Sequence, residues 1–219
     1  MTGHAITHTR KGAERMKIRA HPSPMPRPGR IRIIGGRLRG SKIEVPHSEG
    51  LRPTPDRVRE TLFNWLQPVV DGARCLDLFA GSGANGIEAM SRGAGSLVTI
   101  EREPALAERL RATTARLKVD PVQVVCADAL AWLQQTRPVD WPAFDLVFMD
   151  PPFARDLAPQ AAAELERGDW LAPTAMIYME LPADREARVP DNWKVHRHGR
   201  AGALGYTLYQ RLPPDQARA

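Results

Sequence analysis

Cysteine is scarce in this chain, which holds two among its 219 residues, Cys75 and Cys126. The two lie far apart, each within or at the end of an apolar, strand-like run, so neither a disulfide framework nor a zinc knuckle is predicted. Both thiols are interpreted as buried structural groups in a reducing compartment. Long apolar runs are lacking too, and none reaches the roughly eighteen residues that a membrane-spanning helix needs.

Other absences narrow the class of protein further. The first residues carry charge with no apolar stretch behind it, so no secretory signal is predicted. His196 and His198 share one strand face, but a surface pair is favoured over a metal site there. No internal repeat is visible. We therefore expect a cytoplasmic, metal-free monomer with one α/β domain and an appendage.

Positive charge is what the N-terminal part has in excess. The net charge is +6, but residues 1–46 hold eleven Lys and Arg against two acids, so the remaining 173 residues sum to −3. Such a basic segment suits a polyanion, because phosphate neutralisation releases counterions and drives binding. From charge alone, a solvated tail remains an equal alternative.

Proline and glycine divide the chain into three parts. Residues 1–28 are expected to be a disordered basic tail, since they are polar and broken by four prolines. Residues 29–50 are expected to form a β-hairpin around Gly35 and Gly36. The main domain is then predicted over residues 51–213, beginning with a helix.

From residue 74, apolar strands alternate with amphipathic helices, which predicts a parallel sheet covered on both faces. The predicted strands are Cys75–Phe79, Ser96–Glu101, Val122–Cys126, Phe144–Met149 and Ala175–Leu181, and the helices are Asn85–Arg92, Pro104–Leu117, Ala129–Gln135 and Leu157–Glu166. Trp193–His198 and Tyr206–Leu212 are joined by a connection too short for a crossover helix. They are expected to form an antiparallel hairpin at the sheet edge, which gives seven strands, mostly parallel.

A glycine loop follows the first strand of this sheet. Gly81, Gly83 and Gly86 satisfy G-x-G-x-x-G in the strand–turn–helix setting that gives the motif its meaning. By itself the loop suits a dinucleotide, whose pyrophosphate would lie at the helix N-terminus. Asp77, just before the loop, would repel a pyrophosphate. It favours instead a ligand with an ammonium group, such as S-adenosylmethionine.

Two more acids follow the next two strands. Glu101 ends the second, where a carboxylate can accept both ribose hydroxyls, and Asp128 follows the third, where it can accept the adenine amino group beside the backbone amide of Ala129. All these positions converge at the carboxyl edge of the sheet. Taken singly, Glu101 or Asp128 is more often a helix cap or a loop charge.

The tetrapeptide Asp150, Pro151, Pro152, Phe153 follows the fourth strand. Two prolines fix the backbone and remove two N–H donors, leaving carbonyls free to accept. The Asp150 carboxylate and the Pro151 carbonyl can hold the hydrogens of an exocyclic amine, while Phe153 stacks on an extracted base. This predicts methyl transfer to the amino group of a nucleobase.

Several segments together resemble the RsmD family of bacterial 16S rRNA (guanine-966-N2) methyltransferases. The resemblance covers residues 30 to about 212 and rests on Arg30–Gly36, Leu51–Leu66, Asp77–Gly83, Asp150–Phe153 and Tyr206–Arg211. It implies a class I, Rossmann-like methyltransferase fold, S-adenosylmethionine as donor, and a guanine N2 of 16S rRNA as target, in the 30S subunit or an assembly intermediate.

By position, the resemblance also implies roles for individual residues. Those implied to bind the donor are Asp77, Phe79, Ala80, Gly81, Ser82, Gly83, Glu101, Asp128, Ala129 and Thr54. Asp150 to Phe153 would hold the guanine. The basic hairpin and the segment behind it supply the predicted RNA contacts Arg32, Arg37, Arg39, Arg52 and Arg59.

Two residues depart from the family pattern, and other functions stay open. Asn85 stands where an apolar residue is usual and is expected to loosen helix packing. Ala154 stands where an arginine is expected, which would remove one phosphate contact.

The alternative functions are a DNA adenine-N6 or cytosine-N4 methyltransferase, a dinucleotide-dependent oxidoreductase and a non-catalytic RNA-binding protein. The first is disfavoured because no separate target-recognition domain is apparent.

Overall fold

A computed structural model describes Met1 and residues 29–45, 55–152 and 157–213. The predicted site residues Arg52, Thr54 and Phe153 lie outside the described residues, as do Ala154 and most of the N-terminal tail.

The predicted helices and strands are present, with bounds that differ by a few residues. The described elements are β1 (Gly29–Arg32), β2 (Lys42–Val45), α1 (Asp56–Leu66), β3 (Arg74–Asp77), α2 (Ala84–Ser91), β4 (Ser96–Glu101), α3 (Pro104–Arg116), β5 (Val122–Cys126), α4 (Ala129–Leu133), β6 (Phe144–Met149), α5 (Ala158–Arg167), β7 (Leu171–Pro182), β8 (Trp193–Ala201) and β9 (Leu204–Arg211). The longest helix, α3, has 13 residues, and no helix in the described ranges could cross a membrane.

The main sheet has seven strands in the order β5-β4-β3-β6-β7-β9-β8. Its first five strands are parallel, and β9 runs antiparallel to both β7 and β8. The α/β prediction of a mostly parallel sheet with an edge hairpin is confirmed. The strand order reverses between β3 and β6, which is where open α/β sheets bind ligands beyond their carboxyl ends.

Both faces of the sheet are covered, which is why its strands are apolar nearly throughout. One apolar cluster joins the sheet to the N-terminal hairpin, α1 and α2. The other joins it to α4 and α5. Neighbouring residues alternate between the clusters, as Val147 and Phe148 of β6 do.

The N-terminal hairpin is the two-stranded antiparallel sheet of β1 and β2, and it docks on α2. The Glu88 carboxylate accepts the backbone N–H groups of Ile34 and Gly35, each at 2.8 Å. Ser91 Oγ accepts from the backbone N–H of Leu38 at 2.9 Å and donates to the Gly35 carbonyl at 2.6 Å. These bonds fix the orientation of the hairpin on the main domain.

A buried cation and a glycine complete this contact. Arg59 is fully buried and donates to the Arg32 carbonyl and to Asp56, each at 2.7 Å, with Nη1 3.8 Å from Glu88. Gly36 has φ +72°, and a Cβ there would lie 1.8 Å from the Ser91 carbonyl oxygen, so only glycine lets the backbones approach this closely.

The two cysteines differ in exposure. Cys75 is buried, as predicted, and burial raises the pKa of its thiol. The prediction for Cys126 was wrong, because this residue is exposed. It ends β5, the outermost strand on its side of the sheet, where few neighbours remain to cover it.

Candidate active site

The loop between β3 and α2 depends on glycine for both conformation and packing. Gly81 and Gly83 have φ of 52° and 74°, a region that favours glycine. A Cβ at Gly86 would lie 2.9 Å from Leu97 Cδ1 and 3.2 Å from Asp77 Oδ2. The third glycine thus lets α2 pack closely against β4 and leaves its own N–H within reach of Asp77.

Asp77 is a buried carboxylate behind this loop, 4% exposed. Its Oδ2 accepts the backbone N–H of Gly86 at 3.1 Å. Burial raises its pKa to about 7; the Gly86 bond acts in the opposite direction, and the charge of Glu101 adds to the rise. A cation bound beyond the loop would lower this pKa again, so the position suits an ammonium-bearing ligand.

Glu101 fixes the loop from the neighbouring strand. Its Oε2 accepts the N–H of Gly81 at 2.8 Å, and its Oε1 accepts the N–H of Glu103 at 2.7 Å. The backbone of Ala80 also donates to the Ile100 carbonyl at 3.0 Å. Since each carboxylate oxygen has two lone pairs, Glu101 retains the capacity to accept ribose hydroxyls in this fixed orientation.

Asp128 is the N-cap of α4, the alternative that the sequence left open. Its Oδ1 accepts the N–H groups of Leu130 and Ala131, at 3.1 and 3.2 Å. Ala129 is buried in the first turn. A bond from Asp128 to an adenine amino group stays a prediction, and the cap would orient the carboxylate for it.

Asp150 follows β6, next to a second acid that sequence reasoning missed. The parallel register pairs Phe148 with Tyr178 and Met149 with Met179, which brings Asp150 beside Glu180. Glu180 is 2% exposed and accepts the Tyr178 hydroxyl at 2.8 Å. The sequence does contain an indication of this residue. Glu180 is a charged residue within an apolar strand, as Asp77 is.

Asp77, Asp150 and Glu180 form what we call the acidic cluster. The pKa of Asp150 lies well above its usual range because the residue is desolvated and faces Glu180 and Asp77. The pKa of the Tyr178 hydroxyl is raised by burial and by the Glu180 charge. The three acids of the acidic cluster lie close together and are shielded from solvent. Such a site favours ligands that carry a positive charge or N–H donors.

The remaining predicted site residues occupy varied positions. Phe79 and Ser82 are half-buried in the glycine loop, Pro151 is buried and Pro152 is exposed. Among the described residues of the predicted RNA-contact set, Arg32, Arg37 and Arg39 are exposed. Arg59, by contrast, is buried and bonded within the chain, a position that does not suit the predicted RNA contact.

The histidine pair lies on the exposed face of β8. His198 Nδ1 is 3.0 Å from Thr207 Oγ1, and His196 is exposed beside it. Across the described ranges, no group of three or more His, Cys, Asp and Glu side chains could hold a metal ion.

Asn85 is a buried polar residue whose Oδ1 finds no hydrogen-bond partner in the described part of the chain. Burying an unsatisfied polar atom costs about 1–3 kcal/mol. We expect Asn85→Leu to raise the free energy of unfolding by about 1 kcal/mol, measured by urea denaturation. The exposed control Gln134→Leu should leave it unchanged; a loss of stability in Asn85→Leu alone would contradict the expectation.

The pKa of Asp77, about 7, predicts pH-dependent binding of a cationic donor. A raised pKa means that the carboxyl takes up a proton as pH falls through 7, and the neutral acid no longer attracts an ammonium. Affinity for S-adenosylmethionine should therefore drop roughly tenfold between pH 7 and about pH 5.5. Calorimetry at several pH values measures this. Asp77→Asn should bind weakly with a flat profile, and a flat profile in the unmodified protein would disprove the role.

Comparison with known proteins gives one family. The family model described as conserved hypothetical protein 95 matches residues 31–210. The chain is 48% identical over 192 residues to ribosomal RNA small subunit methyltransferase D of Escherichia coli K12, covering 87% of this chain and 95% of that protein. The protein of the same name from Haemophilus influenzae is 44% identical over 184 residues, covering 83% and 94%.

Solved structures agree with these relatives. The structure of yhhF from Escherichia coli superposes with a TM-score of 0.76 at 47% identity, covering 84% of this chain and 99% of that one. HI0767 of Haemophilus influenzae gives a TM-score of 0.71 at 40% identity, covering 84% and 99%.

Proposed function

The chain belongs to the RsmD family, that of conserved hypothetical protein 95, and on this premise we propose that it methylates the exocyclic N2 of a guanine in 16S rRNA with S-adenosylmethionine as donor. One observation carries the proposal: β3, which leads into the glycine loop, and β6, which leads into Asp150, are neighbouring parallel strands that pair Asp77 with Phe148. The donor loop and the acceptor residues therefore open at the same edge of the sheet.

The residues around the glycine loop fit the proposed donor part by part. Asp77 suits its ammonium group, Glu101 its ribose hydroxyls, and Asp128 with the Ala129 amide its adenine. When bound, the donor supplies an electrophilic methyl group on a sulfonium. Phe79 and Ser82 are half-buried residues of the same loop and would contact the donor there.

On the acceptor side, Asp150 and the Pro151 carbonyl would accept the two hydrogens of the guanine amino group. This turns the nitrogen lone pair towards the methyl group, and the nitrogen gives up one proton as the new bond to carbon forms. Phe153 would stack on the extracted base. Catalysis of this kind depends on positioning in a desolvated site more than on a strong general base.

Methyl transfer to defined nucleic acids tests the proposal. The protein is incubated with labelled S-adenosylmethionine and unmodified 16S rRNA, 30S subunits, assembly intermediates or duplex DNA, and the modified base is mapped. We expect label on one guanine N2 of 16S rRNA, in free or assembled form. Label on adenine N6 or cytosine N4 of DNA would favour the DNA methyltransferase alternative. Binding of NAD without S-adenosylmethionine would favour an oxidoreductase.

The hairpin is the proposed RNA-binding surface. Arg32, Arg37 and Arg39 are exposed on it, and its attachment to α2 holds their backbone in place. Reversing all three to glutamate should weaken RNA binding at least tenfold and flatten its dependence on salt, because fewer counterions are released. Binding titrations at several salt concentrations measure both effects.

Two controls separate the hairpin from the rest of the basic charge. Arg167→Glu changes an exposed arginine of α5, on the opposite face of the sheet, and should have little effect. Removing residues 1–28 should likewise change turnover little. An unchanged affinity of the triple variant across the salt series would remove the hairpin from the interface.

A further inference from the structure

A cavity of about 300 Å³ lies on the face of the sheet opposite the N-terminal hairpin. It is lined by β7, β8, β9 and residues 183–187, which follow β7. The volume is at the lower end of the range of ligand pockets, about 300–1,000 Å³. The side chains that give the cavity its chemistry are those of Met179, Leu181, Val195, His198, Thr207 and Tyr209.

The cavity lies near the edge of the sheet where the proposed reaction takes place. Leu181 and Pro182 at the end of β7 line it, as does Gly205 near the start of β9. Because β7 is parallel to β6, its end lies at the same edge as Asp150. Neighbouring strands are about 4.8 Å apart, so β9 lies roughly 10 Å from β6. A nucleotide next to a base held at Asp150 reaches that far.

A β-bulge in β8 turns His198 towards the cavity. The register shifts between Val195 and Arg197, which leaves one extra residue in β8. Directly paired residues of antiparallel strands point to the same face, so His198 shares the cavity face with its partner Thr207. Without the extra residue, His198 would point to the other face. Bulges that re-aim a side chain in this way are common beside functional sites.

The same bulge divides two exposed arginines of β8 between the two faces. Arg200 pairs with Gly205, which lines the cavity, so Arg200 lies on the cavity side. Arg197 pairs with Leu208, which belongs to the apolar cluster on the hairpin face. The two arginines are therefore a matched pair on opposite faces of one strand.

The lining combines apolar contact area with groups that form hydrogen bonds. Met179 and Tyr209 supply buried apolar surface, and the nearby Val195 is 63% exposed. His198 Nδ1 is 3.0 Å from Thr207 Oγ1, a bond that uses only one of the two ring nitrogens. Apolar surface with a few polar groups is the usual lining of a ligand pocket and suits a nucleobase.

The charge of β8 indicates an anion beside that base. The strand carries Lys194, Arg197 and Arg200 and has no acidic residue. Charged side chains also protect an edge strand from pairing with another chain, but such protection does not require a cavity with apolar lining. Glu186, on the wall formed by residues 183–187, can accept N–H groups of a base.

We propose that the cavity is a subsite for an RNA nucleotide next to the target guanine, with its base against the apolar lining and its phosphate beside Arg200. This inference rests on the proposed function. The exposed arginines of the hairpin lie on the other face of the sheet, so the RNA is held on both sides of the reacting base.

Substitutions in the protein combined with abasic nucleotides in the RNA test the subsite. The 16S rRNA, free or assembled into the particle that wild type modifies, carries the target guanine and one abasic flanking nucleotide at a time. In wild type, kcat/KM should fall about tenfold or more at one flanking position, because the contacts of that base are lost.

Val195→Asp should remove this dependence on the flanking base. The charged group excludes the base from the cavity, so kcat/KM for intact RNA should fall by a similar factor, with no further loss at that abasic position. Val139→Asp changes an exposed valine before β6 and is the matched control, which should behave as wild type. His198→Ala adds no charge and should also reduce the loss at the same position.

The two arginines of β8 test the phosphate contact. Arg200→Ala should lower by about one the slope of log affinity for RNA against log salt, because one fewer phosphate is neutralised. Arg197→Ala, on the other face, should keep the slope of wild type. Equal slopes in Arg200→Ala and wild type would overturn the phosphate contact.

The outcomes separate this inference from the proposed function. If wild type transfers no methyl to guanine, the proposed function fails and the inference fails with it. If wild type methylates guanine but tolerates every abasic flanking position, the inference is wrong while the function stands. The same holds if Val195→Asp and His198→Ala keep the abasic sensitivity of wild type. Donor affinity and thermal unfolding of Val195→Asp should match wild type, since Val195 is exposed on an edge strand.

Discussion

Replacing Asp150 by alanine is expected to reduce methyl transfer about 10³-fold or more while S-adenosylmethionine binds as before. The carboxylate would hold one hydrogen of the acceptor amine and so set the direction of its lone pair. Without it the amine is free to rotate, and loss of such an orienting, desolvated contact costs this order of rate. Donor binding should survive because the glycine loop, Asp77 and Glu101 are held by bonds that do not involve Asp150.

The variant should also fold well, which makes the experiment interpretable. Asp150 is desolvated and faces two other acids, Glu180 and Asp77, so its removal relieves repulsion. Single-turnover rates and donor titrations, with thermal unfolding alongside, measure the three quantities separately. Asp150→Asn keeps one acceptor oxygen and should retain more activity than Asp150→Ala. Comparable turnover in Asp150→Ala and wild type would refute the role given to Asp150.

The parts of the fold and site that local patterns encode were predictable. Strands buried on both faces are apolar nearly throughout, and the helices between them show one apolar face. The loop at Gly81 and Gly83 needs a backbone conformation that favours glycine. A motif that directly follows a strand lies at the carboxyl end of that strand. The sequence alone therefore places Asp77 and Asp150 at one edge of the sheet.

Features that depend on pairing across the chain were not predictable in this way. Glu180 lies beside Asp150 because of the register in which β6 pairs with β7. These two strands are separated in sequence by a helix, so the pairing cannot be read from either strand alone. Arg59 lies in a helix whose charge pattern fits an RNA contact equally well. In the structure it is buried where the hairpin docks, bonded to the Arg32 carbonyl. Cys126 lies in an apolar run, but edge position leaves it exposed.

Removing the Glu88 side chain is expected to destabilise the fold by about 3–5 kcal/mol. Glu88 is fully buried and joins three elements: it accepts two backbone N–H groups of the hairpin, bonds Arg92 at 2.8 Å, and lies 3.8 Å from Arg59. In Glu88→Ala, Arg59 becomes a buried cation that has lost one of its two acidic neighbours, and breaking a buried pair on one side costs this much. Urea and thermal unfolding measure the loss.

The same substitution should separate RNA binding from donor binding, because the hairpin is attached to α2 through this carboxylate. Glu88→Ala should weaken RNA affinity at temperatures where the main sheet remains folded, since Arg32, Arg37 and Arg39 lose their fixed arrangement. The exposed Glu44→Ala is the matched control and should change stability by less than about 0.5 kcal/mol. Unchanged stability and unchanged RNA binding in Glu88→Ala would contradict this role for Glu88. They would show that the apolar contacts of Ile31, Ile33 and Ile43 and the bonds from Ser91 and Arg59 are enough to hold the hairpin.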